Sequence, residues 1–141
     1  TIMETLLEKT VQKIAEKNGL EYGIQMSATA IFNSWGISVP VDKSMRRFDV
    51  VIYNPKKHKV YVIETNFYGG GGSKLKSVCG EFITLNNLIK TSNDGITFIW
   101  ITDGQGWNTA LLPLSEAFEQ IDYIFNIKML DDDYLEQVVI G

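Results

Sequence analysis

The sequence has one cysteine, one histidine and three prolines in 141 residues, and no apolar run longer than a strand. A lone Cys79 cannot close an intramolecular disulfide, which suits a reducing cytoplasm. Neither His58 nor Cys79 has companions at ligand spacing, and this speaks against His-Cys zinc sites and histidine-based catalysis. No basic segment precedes a long hydrophobic one, so neither a signal peptide nor a membrane-spanning helix is expected. The formal net charge is −4, without the basic excess of a typical nucleic-acid binder. The chain opens on Thr1 rather than a methionine, so a piece of a longer protein is expected.

With 45% hydrophobic residues, the chain can bury one core, and a single domain over 1–141 is expected. Its charge is unevenly spread. Between Lys43 and Lys90 stand nine basic residues against three acids, Asp49, Glu64 and Glu81, while the rest carries four basic and fourteen acidic residues. That asymmetry fits a phosphate-binding face on an otherwise acidic protein. Within the zone, Lys56-Lys57-His58-Lys59 reads equally well as a solvated turn.

Two strand-like runs lie inside this zone, over 48–53 and 60–67, joined by an Asn54-Pro55-Lys56-Lys57 turn that fits a hairpin. Side chains alternate faces along a strand, so Val62, Glu64 and Asn66 share one face and Tyr61, Ile63 and Thr65 the other. A carboxylate in an apolar strand is costly to desolvate unless paired or metal-bound, and Asp49, just before Val50-Val51-Ile52, meets the same difficulty. Carboxylates ~4 Å apart repel by about 4 kcal/mol at an effective dielectric near 20, and a divalent cation reverses that penalty.

Elsewhere the chain interleaves helices and strands. Apolar spacing predicts a helix over 2–17 with Ile2, Leu6, Leu7, Thr10, Val11 and Ile14 inward, stopped by Asn18-Gly19. Its Glu4, Glu8 and Glu16 read as a solvated face. A second helix is predicted over about 23–35, with Ile24, Ala28, Ile31, Phe32 and Trp35 inward and Gly36 as its end. Gly69 to Gly72 join the second strand to a helix over about 73–89, and a strand-glycine-helix junction is a place where phosphates bind. The Gly-Lys-Ser/Thr ending of a P-loop is absent, so an α/β nucleotide-binding protein is a lesser reading. Glu81 on that helix reads as a surface or lysine-paired residue. A buried strand over 96–102, a turn at 103–106, an inward Trp107, a helix over about 114–120, a strand at 123–127 and a last helix from Asp131 follow. Asp131-Asp132-Asp133 reads as N-cap chemistry for that helix. The class is therefore α/β, a central mixed β-sheet flanked by helices.

The pattern Asp49, then Glu64-Thr65-Asn66, resembles the PD-(D/E)XK nuclease motif, with Asn66 where the motif has its lysine. A longer resemblance runs through Arg46-Arg47-Phe48-Asp49, Ile63 to Tyr68 with the glycines and Ser73-Lys74-Leu75, then Thr102 to Trp107 and Pro113-Leu114. In order and spacing these blocks are similar to the DpnII and MboI group of type II restriction endonucleases. The resemblance implies a restriction-endonuclease-like fold and Mg²⁺-dependent cleavage of double-stranded DNA at GATC. It also implies a homodimer of the full-length protein. Asp49 and Glu64 would hold the metal, with Asn66 and Lys74 completing the catalytic set. Arg46, Arg47, Ser73, Lys74 and Lys76 would contact DNA. Because Asn66 carries no charge, Lys74 is expected to supply the missing cation, and an inactive nuclease-fold DNA-binding domain stands as the alternative.

Overall fold

The computed structural model describes residues 2–69, 73–92 and 95–141. Helix α1 (Ile2–Asn18) buries Met3, Leu7, Val11, Ile14 and Ala15, whose spacing lays them along one stripe. Ile2, expected inside, is exposed, and Met3 takes its place in the core. Gly19, with φ 67°, adopts the left-handed conformation that lets the Leu20 N–H bond back to the Ala15 carbonyl at 3.0 Å and end the helix.

The next segment departs from the expected helix. Residues Glu21–Ser27 form strand β1, and helix α2 spans only Ala28–Trp35. The helical spacing of Ile24, Ala28 and Ile31 is overridden because β1 pairs antiparallel along strand β2 (Arg47–Asn54), from Glu21 opposite Tyr53 to Ser27 opposite Arg47. Ser27 then caps α2, its hydroxyl accepting from the Ala30 N–H, and Gly36 ends it at φ 72°. Ile31 is buried as expected, whereas Ile24 and Phe32 are exposed.

Strand β2 and strand β3 (Lys59–Phe67) form the expected hairpin. Buried Asn54 holds its turn, accepting from the Lys56 and Lys57 N–H groups and donating to the Val139 carbonyl. Helix α3 (Ser73–Lys90) leads into strand β4 (Ile96–Asp103), a 3-10 turn (Gln105–Thr109) and helix α4 (Leu111–Gln120). Trp107 is buried, its indole N–H donating to the Thr102 hydroxyl at 2.8 Å. Strand β5 is only Ile124–Phe125, followed by helix α5 (Ile127–Asp131) and helix α6 (Tyr134–Ile140). Of Asp131-Asp132-Asp133, Asp131 ends α5, and Asp133 does stand at the N-cap of α6, in left-handed backbone, but without the side-chain hydrogen bond expected of a cap.

The sheet order is β1-β2-β3-β4-β5, antiparallel through β3 and parallel from β3 to β5. One face, with Val51, Val62, Phe98 and Trp100, packs on Leu75, Phe82 and Leu85 of α3 and Ala117 of α4. The other, with Val50, Ile52, Ile63, Ile99 and Ile101, packs on α1, α5 and α6. Each buried aliphatic or aromatic side chain contributes roughly 1.5–3 kcal/mol, so the central strands are held rigidly from both sides. No helix of the described residues is long and apolar enough to cross a membrane.

Candidate active site

The β2–β3 ladder is regular from Asn54 opposite Lys59 to Val50 opposite Ile63 and then stops. At the next position the two acids take over the work of the backbone. The Asp49 N–H donates to Glu64 Oε1 at 3.0 Å, and the Thr65 N–H donates to Asp49 Oδ2 at 2.9 Å. Each strand therefore satisfies one donor of the other through a carboxylate, and both acids are held at the fork where the ladder ends.

Glu64 is buried, and its second oxygen is held by Arg46, whose Nη1 lies 2.7 Å from Oε2. Arg46 is itself buried. Its Nε and Nη2 grip both oxygens of Asp42 at 2.5 and 2.8 Å, and Nη2 also bonds Glu81, which Lys43 reaches at 3.2 Å. Its guanidinium lies over the Phe82 ring. A surface phosphate contact, the role expected of Arg46, does not fit this placement, because a side chain 6% exposed has its fork committed to three carboxylates. The lysine pairing expected of Glu81 is present.

Burial raises the Glu64 pKa to about 7, the Asp49 charge pushes the same way, and the Asp49 N–H and Arg46 oppose them. Arg46 does not prevail because its charge is shared with Asp42 and Glu81. The Asp49 carboxyl is also raised, by burial first, against the Thr65 N–H and the Gln25 amide. The hydrogen bond from Arg46 lowers the Asp42 carboxyl, and the same bond leads the causes that hold the Arg46 guanidinium above its ordinary range. Two carboxyls that resist ionisation side by side have oxygen donors suited to a hard divalent cation. Among the described residues no group of three or more His, Cys, Asp or Glu is placed to hold a metal ion.

Asn66 shares the Glu64 face, as its spacing predicts. Its Oδ1 accepts from the Trp100 indole N–H at 2.7 Å, and Trp100 is fully buried on the neighbouring strand. An indole N–H can only donate, so the amide oxygen must face Trp100 and the NH₂ group points the other way. Asn66 and Lys74 both line a cleft of about 580 Å³ with Glu4, Thr65, Phe67 and Tyr68. Lys74, in the first turn of α3, is exposed, as are Arg47 and Lys76. Ser73 begins α3. Gly70 to Gly72, the centre of the possible phosphate cradle, lie outside the described residues.

The basic zone is divided by the fold. Lys43 and Lys90 are ion-paired, with Glu81 and Asp122. Lys56, Lys57 and Lys59 occupy the far end of the hairpin, about 17 Å of strand from Asp49 at roughly 3.3 Å per residue. Two residues near the site escape sequence reasoning. Gln25 donates to Asp49 Oδ1 at 3.1 Å, although its segment reads as helix. Glu4, read as a solvated glutamate, lines the cleft and its charge raises the Asp49 pKa. Its place at the first turn of a helix beside the site is the one signal available.

A strand fork holding two acids, in a mixed sheet covered by helices, is the architecture expected of a nuclease core. The chain belongs to the DpnII restriction endonuclease family, whose profile matches residues 1–137. It is 53% identical over 138 residues to the type II restriction enzyme LlaDCHI of Lactococcus lactis subsp. cremoris, covering 98% of this chain and 45% of that protein. It is 42% identical over 139 residues to MjaIII of Methanocaldococcus jannaschii, with 98% and 48% covered. With DpnII of Streptococcus pneumoniae it shares 32% identity over 133 residues, with 94% and 43% covered. The chain thus spans about half the length of these relatives. No solved structure is significantly similar to it.

Proposed function

We propose that this chain is the catalytic part of a type II restriction endonuclease that hydrolyses phosphodiester bonds of double-stranded DNA with Mg²⁺. The observation that carries this reading is the fork, where Asp49 and Glu64 are each fixed by a backbone N–H of the other strand. A divalent ion bound there would supply Lewis acidity and make water a better nucleophile. The protein's own part is positional: Asp49 and Glu64 present oxygens of fixed direction, and the Asn66 NH₂ can donate to the attacking water or to a phosphate oxygen. Lys74, lining the same cleft, is the candidate for the positive charge that Asn66 lacks. Arg47, Ser73 and Lys76 are candidates for backbone contacts to DNA, and Arg46 instead steadies Glu64.

The specificity in this reading is GATC, and a palindromic site suits an isologous homodimer of the full-length protein acting in the cytoplasm. Plasmid digestion by the full-length protein, with and without Mg²⁺ and followed by sequencing of the ends, tests cleavage and site together. Asp49→Ala and Glu64→Ala should each abolish cleavage while DNA binding persists. Near-normal cleavage by either variant would remove the site. Intact binding with no cleavage by the parent protein would favour the inactive DNA-binding domain, a reading that the uncharged Asn66 keeps open.

A further inference from the structure

Gln25 stands in an edge strand in a conformation that a residue with a Cβ seldom adopts. Its φ is 52°, and the pairing of β1 with β2, regular on both sides, skips the position where Gln25 faces Asp49. Left-handed backbone is unfavourable for L-residues other than glycine, with asparagine and aspartate tolerating it best. Nothing about the turn of the chain demands it here, since Ile24 opposite Val50 and Met26 opposite Phe48 keep one register. What the conformation achieves is the direction of the side chain, whose Nε2 donates to Asp49 Oδ1 at 3.1 Å. The strained backbone and this contact fall on one residue, and strain of this kind gathers at functional sites.

We infer that Gln25 is a positioning residue, held in left-handed backbone so that its amide aims the Asp49 carboxylate for metal binding. The inference rests on the metal-dependent reading above. With the Thr65 N–H on Oδ2 and Gln25 on Oδ1, both oxygens of Asp49 are fixed. Each oxygen has a second lone pair, so a single hydrogen bond orients it without filling it. Removing Gln25 leaves Asp49 held from one side, and its second oxygen can rotate out of position. Partners that orient metal-binding groups in this way typically change metal affinity by about 10–100-fold when lost.

The test uses the full-length protein and Mn²⁺ as the probe, with affinity read by calorimetry and stability by thermal melting. Gln25→Gly removes the amide and relieves the backbone, so the melting temperature should hold or rise by a few degrees while Mn²⁺ binds about tenfold or more weakly. Gln25→Met keeps the stem and the left-handed backbone but donates nothing, and should weaken Mn²⁺ binding similarly. A Gln25→Gly protein that melts no lower than the parent and binds Mn²⁺ within twofold of it would overturn the inference, as would Gln25→Met at parental affinity. Asp49→Ala separates the two readings: if the parent and Asp49→Ala bind Mn²⁺ alike, the metal site itself fails and takes this role with it. If they differ and the Gln25 variants match the parent, only the role of Gln25 fails.

Discussion

Glu64 should make the metal-free protein less stable as pH rises through neutrality, the reverse of ordinary acid denaturation. Its folded pKa of about 7 lies above the 4.5 of the unfolded chain. The folded state therefore binds the extra proton between these values, and stability falls as that proton is lost. The full difference corresponds to about 3 kcal/mol, of which about 2 kcal/mol falls between about pH 5.5 and pH 8. For a chain of this size that is a fall of roughly 6 °C in melting temperature. Asp49 is shifted in the same direction, while Asp42, shifted down, acts only in more acidic solution. Melting in chelator across this range should show the decline, and Glu64→Gln, which cannot titrate, should flatten it. Saturating Mg²⁺ should raise stability most at pH 8, because the ion competes with the proton for the same oxygens. A parent protein whose metal-free melting point is flat or rises over this range would refute the reasoning, and so would a Glu64→Gln protein with an undiminished slope.

Two further outcomes follow from the cleft. Lys74→Ala should lower the single-turnover cleavage rate of the full-length protein by about a hundredfold, the scale of losing one transition-state donor, and a rate within a few-fold of the parent would leave the metal and Asn66 as sufficient. Asn66→Leu should destabilise the fold by about 1–3 kcal/mol by stranding the buried indole N–H of Trp100. A urea-unfolding cycle that includes Trp100→Phe should then show coupling above about 0.5 kcal/mol, whereas simple additivity would mean that the bond contributes nothing.

What was legible in the sequence depended on how local the cause was. The hairpin of β2 and β3 is written in two apolar runs and an Asn-Pro turn, and the helix after the glycines in a repeating apolar spacing. Strand β1 was not legible, because Glu21–Ser27 is half exposed and bears no alternation of its own. It is a strand because β2 offers it an edge, and no window of its own residues contains that information. The C-terminal strand was legible in place but not in length: of the expected 123–127 only Ile124–Phe125 pair, with Trp100 and Ile101 of β4.

The site divides along the same line. Asp49 and Glu64 could be picked out because an acid inside an apolar strand is anomalous wherever the strand ends up. Arg46 could not be placed, although its identity was plain, because the same side chain serves as a phosphate contact or as a buried counter-ion according to what surrounds it. Its partners Asp42 and Glu81 come from the loop before β2 and from α3, and only the fold brings them to Glu64. That enclosure has a consequence for the reaction. Buried alone, Glu64 would have only the Asp49 N–H to favour its ionised form, and a cation would have to displace its proton unaided. With Arg46 anchored on Asp42 and Glu81, one oxygen of Glu64 is fixed and partly neutralised while its pKa stays close to physiological pH. Under the proposed metal-dependent reading, a divalent ion bound at Glu64 would have to displace only a proton held weakly at that pH.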